Sequence, residues 1–399
     1  MNLLLIADAF PPIRTSAAVH MEYLALELSA QGHEVTVLVP SQVMLQSIDV
    51  TRTSAYQLVR VKGFKTKDVG YVLRLIAEIT NPLLMLFRLW NSNVLPKKID
   101  GIVWYSPSIF FGPLVSRLAH RFHCPSYLIS RDLFPRWALD LGILKEGALY
   151  KFLKWRELSQ YKVADVIGIQ APGNAVFFNE FSKKIQSKIE VLWTWTSVIS
   201  QSQCSIDISK TKLAGRKIFL YSGNMGVAQN MRPILELALL LKDRIDIGFL
   251  MVGRGDEMSA LKQFAVNENL ENILFNDEID SSEIPSLCAQ CHVGIVSLDL
   301  RHTTHNIPGK FLTYMNSGLP VLAKINPGND LMGLISEYGV GVSVASEDPV
   351  VLGAAVDELL LKLSSDKDIS MRCKRLAKEL FSTIRAAKQI TKALQLKYM

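Results

Sequence analysis

The sequence predicts an α/β protein made of two Rossmann-like domains, and three observations support this fold class. The chain has 399 residues, of which 49% are hydrophobic, so it exceeds the size that one core usually reaches. Short apolar runs bounded by Gly, Pro or Asp alternate with longer stretches of helical period, as in βαβ units with parallel sheets. This alternation begins again near residue 217. We therefore expect ligands in a cleft at the carboxyl ends of two sets of strands.

The predicted strands are the short apolar runs of each half. In the first half they are Leu3–Ala7, Glu34–Val39, Ile102–Tyr105, Ser126–Ile129 and Val166–Ile169. In the second half they are Lys217–Tyr221, Ile247–Val252, Ile273–Phe275, Val293–Val296, Pro320–Ala323 and Gly341–Val344. The polar stretch 197–215 has little apolar periodicity, so it is the predicted linker between domains at 1–196 and 216–379.

Basic residues are concentrated in the first half of the chain. Residues 1–200 hold 22 Lys and Arg against 15 Asp and Glu, whereas residues 201–399 hold 22 of each kind. Part of the excess flanks the apolar stretch 71–90, which charged residues and a proline interrupt too often for a membrane-spanning helix. Two interpretations stay open: an interfacial segment on an anionic membrane surface, or a core helix beside a solvated basic face. The cations outside the stretch are Lys62, Lys65, Lys67, Lys97 and Lys98, and Arg74 lies in its first turn.

Composition and local pattern exclude several other classes of protein. The five cysteines are scattered, and Cys288 and Cys291 lack a second pair at metal-ligand spacing, so neither a metal site nor disulfides are expected. The apolar run 2–7 is too short for a signal peptide. The sequence has no helix-turn-helix or aromatic-basic RNA pattern, so nucleic acid is not an expected partner. We expect a cytoplasmic protein, peripheral on the inner face of the plasma membrane.

The first predicted strand ends in a candidate anion-binding loop. In ADAFPPIRTSAAVH, two prolines stop the strand and a helix follows, with Thr15 or Ser16 as its N-cap. Because N–H groups at a helix start can bind a negative charge, Arg14, Thr15 and Ser16 form a predicted acceptor or phosphate loop. The alternative is an ordinary strand-to-helix turn.

Two strand ends in the second half carry glycines where a ligand can approach the backbone. The turn of FLYSGNMG contains Gly223 and Asn224, and that of FLMVGRGDE contains Gly253 and Arg254. The first of these lacks the third glycine of the dinucleotide-binding fingerprint. We expect both loops to face phosphate groups.

Residues 301–323, RHTTHNIPGKFLTYMNSGLPVLA, concentrate cations before a predicted helix. The helix begins at 308–310 and ends at Gly318, a residue suited to a left-handed C-terminal position. A diphosphate is the counter-ion favoured by a lysine at the positive end of a helix dipole. The alternative makes Lys310 a solvent-exposed lysine and His305 a loop residue. The cations are Arg301, His302, His305 and Lys310.

Taken in order, these stretches resemble bacterial glycosyltransferases of family 4. The similar motifs run through nearly the whole chain: FPP with LALELSAQGHEVTVL, LYSGNMG, VGRGDE, PGKFLTYMNSGLPVLA and FSTIRAAKQI. IADAFPPIR, DLFP and HNIPGK are similar to the branch of L-fucosamine transferases of O-antigen biosynthesis. The resemblance implies the GT-B fold, in which two Rossmann-like domains face each other across a cleft. It also implies that the last helix, Phe381–Leu396, returns to the first domain, which then comprises 1–196 and 380–399.

The resemblance further implies a retaining, metal-free transfer of a sugar from a nucleoside-diphosphate donor, which we expect to be UDP-linked. The donor binds mainly the second domain, and a lipid-linked saccharide acceptor of O-antigen or capsule biosynthesis binds mainly the first. Lys310, Asp132 and Arg131 are the predicted catalytic residues, with Lys310 neutralising the leaving diphosphate. The predicted donor-binding residues are Gly223, Asn224, Gly253, Arg254, Arg301, His305, Asn306, Ile307, Pro308, Gly309 and Thr313.

The chain departs from the family pattern at positions that contact the donor. The phosphate-binding Arg and Lys of the family fall on Asn224 and Gln229, so Lys310, with Arg301 or Arg254, is expected to neutralise the diphosphate. Its two glutamates fall on His305 and Thr313, which leaves donor hydroxyls to other partners, among them N–H groups around Asn306 and Ile307. Its first-strand Gly-Gly falls on Thr-Ser, where side chains hinder a close approach of the main chain to the donor phosphate.

A further departure concerns the donor sugar. The family's strand-end histidine, which contacts the sugar 6-hydroxyl, falls on Arg131. We hypothesise that a donor without this hydroxyl, a 6-deoxy-hexosamine such as N-acetylfucosamine, makes the histidine dispensable.

Two rival functions stay open. A nucleotide-sugar 2-epimerase of the same architecture would need no acceptor, but requires carboxylates and histidines facing the donor, of which Asp132 and His305 are the main candidates. A non-catalytic donor-binding partner subunit would explain the missing glutamates and phosphate-binding cations.

Overall fold

The computed structural model describes residues 1–13, 15–42, 46–66, 69–90, 92–106, 108–197 and 202–398. The chain divides into two compact units, each of which contains one sheet. The first unit comprises Met1–Trp195 and Thr383–Met399, and the second comprises Thr196–Ser382.

The sheet of the first unit is almost entirely parallel. Its strands are β1 (Asn2–Ile6), β2 (Glu34–Ser41), β3 (Ile48–Arg52), β4 (Gln57–Lys62), β5 (Gly101–Ser106), β6 (Ser126–Ser130), β7 (Val166–Ile169) and β8 (Ile189–Val191). They lie in the order β3-β4-β2-β1-β5-β6-β7-β8, and only β3 runs antiparallel to its neighbour.

The sheet of the second unit is parallel throughout. Its strands are β9 (Lys217–Asn224), β10 (Ile247–Arg254), β11 (Ile273–Asn276), β12 (Val293–Ser297), β13 (Val321–Lys324) and β14 (Gly341–Val344). They lie in the order β11-β10-β9-β12-β13-β14, in which the first strand of the chain segment is central.

Helices connect most of the strands. They are α1 (Ser16–Ala30), α2 (Tyr71–Trp90), α3 (Gly112–Phe122), α4 (Arg136–Asp140), α5 (Ala148–Val163), α6 (Lys183–Gln186), α7 (Arg232–Leu240), α8 (Met258–Asn267), α9 (Ile284–Cys288), α10 (Gly309–Ser317), α11 (Asp330–Tyr338), α12 (Pro349–Ser365), α13 (Ile369–Leu380) and α14 (Thr383–Tyr398). Within the described part of the chain, none is both long and apolar enough to cross a membrane.

The central strand of the first unit shows why its sheet is covered on both faces. Leu3 and Leu5 of β1 pack with residues of α1 and α14, whereas Leu4 and Ile6 pack with residues of α2, α3 and α5. Since successive side chains of a strand point to opposite faces, an unbroken apolar run suits a strand with helices on both sides.

The last helix belongs to the first unit, although it follows the second in sequence. Ala387 and Ile390 of α14 are fully buried in the same cluster as β1. Gln389 donates hydrogen bonds to Glu190 Oε1 and to the Val191 carbonyl oxygen at 2.8 and 2.9 Å. The return of the chain is therefore held by both apolar packing and polar contacts.

Each predicted strand is present, with ends that differ by at most three residues. β3, β4 and β8 were not predicted. β3 is an edge strand with mostly exposed residues, so it lacks the apolar signal of a buried strand.

The stretch 197–215, expected as a linker, packs on the second unit where the structure describes it. Ile206, Ile208 and Leu213 are buried, and the Ile208 N–H donates to Gln290 Oε1 at 3.0 Å. Its three buried apolar residues are spaced too irregularly to give the pattern of a strand or a helix, so the sequence did not show that this polar stretch packs on the unit.

Candidate functional site

The strand order of the second unit marks where its ligand site is expected. β10 and β11 extend the sheet on one side of β9, and β12 to β14 extend it on the other. The chain therefore leaves β9 toward one side of the sheet and leaves its neighbour β12 toward the other. Such a reversal of strand order leaves a crevice at the carboxyl ends of the two strands. α10 follows β12 and brings Lys310 to this point.

Lys310 reaches from the first turn of α10 to the end of β9. Its Nζ donates a hydrogen bond to Tyr221 Oη at 2.9 Å and lies 4.3 Å from the centre of that ring. Its Cε lies 3.5 Å from the place that a Cβ on Gly223 would occupy. The side chain is half-buried, and burial lowers the lysine pKa from 10.5 to about 8. Burial is the sole cause of this pKa shift, so no carboxylate among the described residues offsets the charge.

Tyr221 holds the lysine in place. Its ring is fully buried, and its hydroxyl donates to the main-chain oxygen of Asn224, which leaves the phenol oxygen to accept from Lys310. Burial raises the pKa of Tyr221, with the Glu257 charge adding to the effect, so the phenol stays protonated. The ammonium is thus positioned by a neutral partner.

The start of α10 adds donors beside this ammonium. Pro308 is the N-cap, and no side chain caps the helix N-terminus. N–H groups in the first turn of an uncapped helix, together with the helix dipole, favour an anion. Tyr314 anchors the helix on β9, because its hydroxyl donates to the Leu220 carbonyl at 3.1 Å and accepts the Ser222 N–H at 2.9 Å.

The glycines at the ends of β9 and β10 have different roles in the packing. Gly223 (φ +133°) faces Lys310 with ordinary van der Waals space. A Cβ on Gly253 (φ +152°) would lie 1.9 Å from the Gly223 carbonyl oxygen, and one on Gly255 would lie 2.1 Å from that of Met225. Glycine is therefore required at both positions of the GRG turn for the main chains to approach this closely, whereas Gly223 lies against Lys310 at the candidate anion site.

Arg301 and Arg254, which the sequence predicted as partners of the diphosphate, contact carboxylates in the structure. Arg301 Nε and Nη2 bond to Asp299 Oδ1 and Oδ2 at 2.9 and 2.7 Å. Burial alone would raise the Asp299 pKa, but the hydrogen bonds from Arg301 hold it below its usual range. Arg254 lies 3.3 Å from Glu278. Arginine forks bind carboxylates bidentately in this way, so Arg301 is part of a local pair.

His305 and Thr313, at the family's glutamate positions, also contact their own surroundings. His305 Nδ1 accepts the N–H of Asp330 at 3.1 Å, where α11 begins. The Thr313 hydroxyl donates to the Gly309 carbonyl of its own helix at 3.3 Å. Both side chains therefore bond to main-chain groups of their own unit, and neither supplies the carboxylate that the family uses to bind donor hydroxyls.

Asn306 and Ile307 shape the loop that leads into α10. Ile307 is 1% exposed and fixes the loop to the unit. The Asn306 main-chain oxygen accepts from Asn329 Nδ2 at 3.4 Å, while its side-chain Oδ1 is buried with no hydrogen-bond partner in the described part of the chain. This amide oxygen is therefore an unsatisfied hydrogen-bond acceptor in the loop that leads into α10.

A second feature of this unit is an acidic cavity of about 590 Å³ that the sequence did not indicate. Asn230 Nδ2 donates to Glu347 Oε1 at 2.7 Å beside it. Lys324, fully buried behind it, lies 3.8 Å from Glu347, and burial lowers its pKa to about 8 although both neighbouring carboxylates oppose that shift. The cavity is lined by Val227, Asn230, Glu257, Asp299, Leu300, Arg301 and Glu347.

In the first unit, Arg131 and Asp132 follow β6. Arg131 is 7% exposed, and its Nη1 is buried with no hydrogen-bond partner among the described residues. His20 Nδ1 and Tyr105 Oη lie 3.4 Å apart nearby. Burial lowers the His20 pKa, and the Arg131 charge adds to this effect, so the imidazole is neutral. Burial also raises the pKa of Tyr105 to about 12.

His20 and Tyr105 were not predicted as site residues, because in the sequence they look like core positions of a helix and a strand. The one available signal was their type: a histidine on the apolar side of α1 and a tyrosine near a strand end. Their juxtaposition with Arg131 depends on the order β1-β5-β6 in the sheet.

The predicted phosphate loop after β1 has a local structural role. Thr15 is the N-cap of α1, and its hydroxyl accepts the Ala18 N–H at 3.3 Å. Ser16 is the exposed first residue of the helix. Arg14 lies outside the described residues, as does Lys67 of the basic flank.

A cavity of about 740 Å³ lies beside this loop in the first unit. Its walls are mainly apolar and include Phe10 and Phe64, and its charged members are Asp8, Asp49 and Arg60. Arg60 Nη2 donates to the Pro11 carbonyl at 3.2 Å. An amphipathic ligand fits such a lining.

Known proteins are similar to both units. Residues 216–362 match the family model described as glycosyl transferases group 1. The chain is 26% identical to the glycosyltransferase WbjE of Pseudomonas aeruginosa over 253 residues, which are 60% of either chain. It is 23% identical to the colanic acid biosynthesis glycosyl transferase WcaI of Escherichia coli over 392 residues, 90% of this chain and 92% of that relative.

A solved structure extends the likeness to the entire fold. The complex of Anabaena HepE with UDP and glucose has a TM-score of 0.71 at 13% identity, with 99% of each chain covered. At this identity the likeness concerns the fold. The fold is GT-B, as the sequence predicted, and the family match and both relatives support a glycosyltransferase.

Proposed function

We propose that the chain is a retaining glycosyltransferase of surface polysaccharide biosynthesis, O-antigen or capsule, acting at the inner face of the plasma membrane. It transfers a sugar from a nucleoside-diphosphate donor, held by the second unit, to a lipid-linked saccharide, held by the first. The name of WcaI refers to colanic acid, and HepE has been solved with UDP and glucose, which supports a polysaccharide product and a UDP-linked donor.

One observation carries the proposal: Lys310 is a half-buried cation without a carboxylate partner among the described residues, at an uncapped helix start and against a glycine. A charge in this setting is costly unless a ligand neutralises it. A diphosphate supplies the two negative charges and the several acceptor oxygens that the ammonium and the N–H groups of α10 can bind.

The proposed reaction needs charge stabilisation at the leaving group. The bond from the sugar C1 to the diphosphate oxygen breaks, and its electron pair remains on the diphosphate. The acceptor hydroxyl oxygen bonds to C1 on the same face, and its proton passes to the leaving phosphate oxygen, with Asp132 as the second candidate acceptor. Lys310 and the α10 dipole stabilise the charge that develops on the diphosphate.

We further propose that the transferred sugar is a 6-deoxy-hexosamine such as N-acetylfucosamine. Arg131 stands where the family has a histidine for the 6-hydroxyl, and its buried Nη1 lacks a protein partner in the described part of the chain. Asn306 Oδ1 is a further candidate partner for a donor hydroxyl, in place of the family's glutamates. No metal is required in this proposal, since Lys310 supplies the positive charge.

The test is transfer by the purified chain from paired hexosamine and 6-deoxy-hexosamine nucleotides to a lipid-linked acceptor. The proposal expects nucleoside diphosphate and a retained anomeric linkage, with preference for the 6-deoxy donor. Preference for the 6-hydroxyl donor removes the sugar assignment. Conversion of the donor without acceptor indicates a 2-epimerase, and donor binding without any turnover indicates a non-catalytic subunit.

A further inference from the structure

Helix α2 exposes apolar side chains that glycosyl transfer does not require. Among its described side chains, every exposed one is apolar, with exposed fractions from 51% to 72%. Most follow one another at intervals of three, four or seven residues, so they form one stripe along the helix. We name this stripe the α2 apolar face; it consists of Val72, Leu73, Ile76, Leu83, Phe87 and Trp90.

The opposite side of α2 is firmly packed. Met85 and Leu89 belong to the core beneath the sheet of the first unit. Asn81 is 3% exposed, and its side chain bonds both main-chain groups of Phe64, accepting the N–H at 2.7 Å and donating to the oxygen at 3.1 Å. The helix is therefore fixed with the α2 apolar face outward. Contiguous exposed apolar surfaces of this kind mark interaction sites.

Helix α5 shares an apolar cluster with α2 and also has exposed aromatic residues. Leu75 and Ile79 of α2 pack against the cluster that contains Phe110 and Leu153, and Leu153 belongs to α5. The outward residues of α5 include Phe152 and Trp155, exposed by 37% and 56%, whose ring centres are 6.0 Å apart. We name these two residues the α5 aromatic pair.

Cations border both features. Residues 51–100, which include α2, hold nine Lys and Arg against three Asp and Glu. Lys62 and Lys65 are exposed beside Phe64, and Arg88 of α2 donates to the Lys62 carbonyl oxygen. On α5, the Arg156 guanidinium lies 5.2 Å from the centre of the Trp155 ring.

The combination of aromatic and aliphatic residues with bordering cations decides which partner fits. Helices with such a face lie in the interface of bilayers, where lysine and arginine bind lipid phosphates and Trp sits among the headgroups. A second copy of the same face would bring the basic borders together, and their repulsion disfavours self-association.

We propose that the α2 apolar face and the α5 aromatic pair dock the first unit on an anionic phospholipid bilayer, with α2 in the membrane plane. Asn81 of α2 and Phe64 also line the 740 Å³ cavity of this unit. Docking therefore places that cavity beside the lipid headgroups, where a lipid-linked acceptor resides. The role of the cavity in binding an acceptor rests on the proposed function. The docking of α2 rests only on its exposed side chains and the bordering cations.

Cosedimentation of the full chain with vesicles tests the docking without donor or acceptor. The chain is expected to bind vesicles of phosphatidylcholine mixed with phosphatidylglycerol, to bind pure phosphatidylcholine weakly, and to lose part of its binding at high salt. The double variant Phe87→Glu, Trp90→Glu should bind the anionic vesicles at least about tenfold more weakly, because two carboxylates would enter the interface. Leu361→Glu on α12, where the leucine is 70% exposed, is the matched control and should bind as the native chain does.

A second variant separates insertion from electrostatic attraction alone. Trp90→Phe should keep binding but lose part of the quenching of tryptophan fluorescence by brominated lipids. The proposal is overturned if the native chain stays in the supernatant with anionic vesicles, or if the double variant, with an unchanged melting temperature, binds them equally well. It is also overturned if the native chain is a dimer in solution and the only effect of the double variant is to dissociate that dimer, because the α2 apolar face would then bind a second copy of the chain. UDP binding by the double variant should match the native chain, so failure of docking is distinct from failure of the proposed function.

Discussion

Replacing Lys310 by methionine is expected to remove a destabilising charge from the folded protein together with most of its activity. The Lys310 pKa is about 8, against 10.5 for an ordinary lysine. This difference of roughly 2.5 units corresponds to about 3 kcal/mol, since one unit is 1.36 kcal/mol. Part of the side chain is accessible, so solvent screening makes that figure an upper bound.

The sign of the effect follows from the order in which the two states lose the proton. Below pH 8 the lysine is protonated both folded and unfolded, and the folded state bears the full cost of burying the charge. Between about pH 8 and pH 10.5 the folded state is deprotonated first, so the free energy of unfolding of the native chain rises with pH. Above pH 10.5 the cost is absent. Lys310→Met lacks this rise.

Urea unfolding of both chains at neutral pH and near pH 10.5 measures the difference. We compare the free energy of unfolding of Lys310→Met minus that of the native chain at the two pH values. This difference should be larger at neutral pH than near pH 10.5, by up to about 3 kcal/mol. Lys217→Met, at the exposed start of β9, is the control and should show no such dependence. The turnover of Lys310→Met should fall by about two orders of magnitude. A variant that is equally destabilised at both pH values would refute the reasoning, because Lys310 would then serve only to pack on Tyr221.

Three further predictions concern the same unit. Gly253→Ala should lower the free energy of unfolding by about 3 kcal/mol or more, because its Cβ would meet the Gly223 oxygen at 1.9 Å. Gly333→Ala lies at an exposed position of α11 with open space around it, so it should instead raise the free energy of unfolding by about 0.5–1 kcal/mol. Thermal unfolding of the two variants measures both effects. Tyr221→Phe removes the hydrogen bond that orients Lys310, so kcat/KM for the donor should fall about tenfold, and an unchanged value would show that the bond is dispensable. Chelation of divalent metals should leave the transfer rate unchanged, since Lys310 supplies the charge at the leaving group; a rate lost with the chelator and restored by Mg²⁺ would contradict this.

The two sheets could be predicted because strands buried on both faces have unbroken apolar runs. Leu3 to Ile6 is such a run, and its alternate residues fill two cores. β3 could not be found in this way, since Val50 and its neighbours are mostly exposed at the sheet edge. The apolar stretch 71–90 was expected to be either an interfacial segment or a core helix, and its sequence did not show which side would face solvent. That choice depends on tertiary packing, which here buries Asn81 and exposes Phe87.

The candidate site was predicted only as far as it is local in sequence. The sequence places Lys310 at a helix start, but its contact with Tyr221, 89 residues earlier, depends on β9 lying next to β12. Arg301 was expected to face the diphosphate because its cationic neighbours precede the same helix. Its carboxylate partner in the structure, Asp299, is only two residues away, so the pair is already visible in the sequence.

The most direct test of the account is the affinity of the native chain and Lys310→Met for UDP and for uridine, measured by calorimetry. If Lys310 binds the diphosphate, the variant should lose about tenfold to a hundredfold in affinity for UDP, the value of one charge-assisted hydrogen bond, and keep its affinity for uridine. Lys217→Met should bind both ligands as the native chain does. Unchanged UDP affinity in Lys310→Met, or an equal loss for UDP and uridine, would contradict the account.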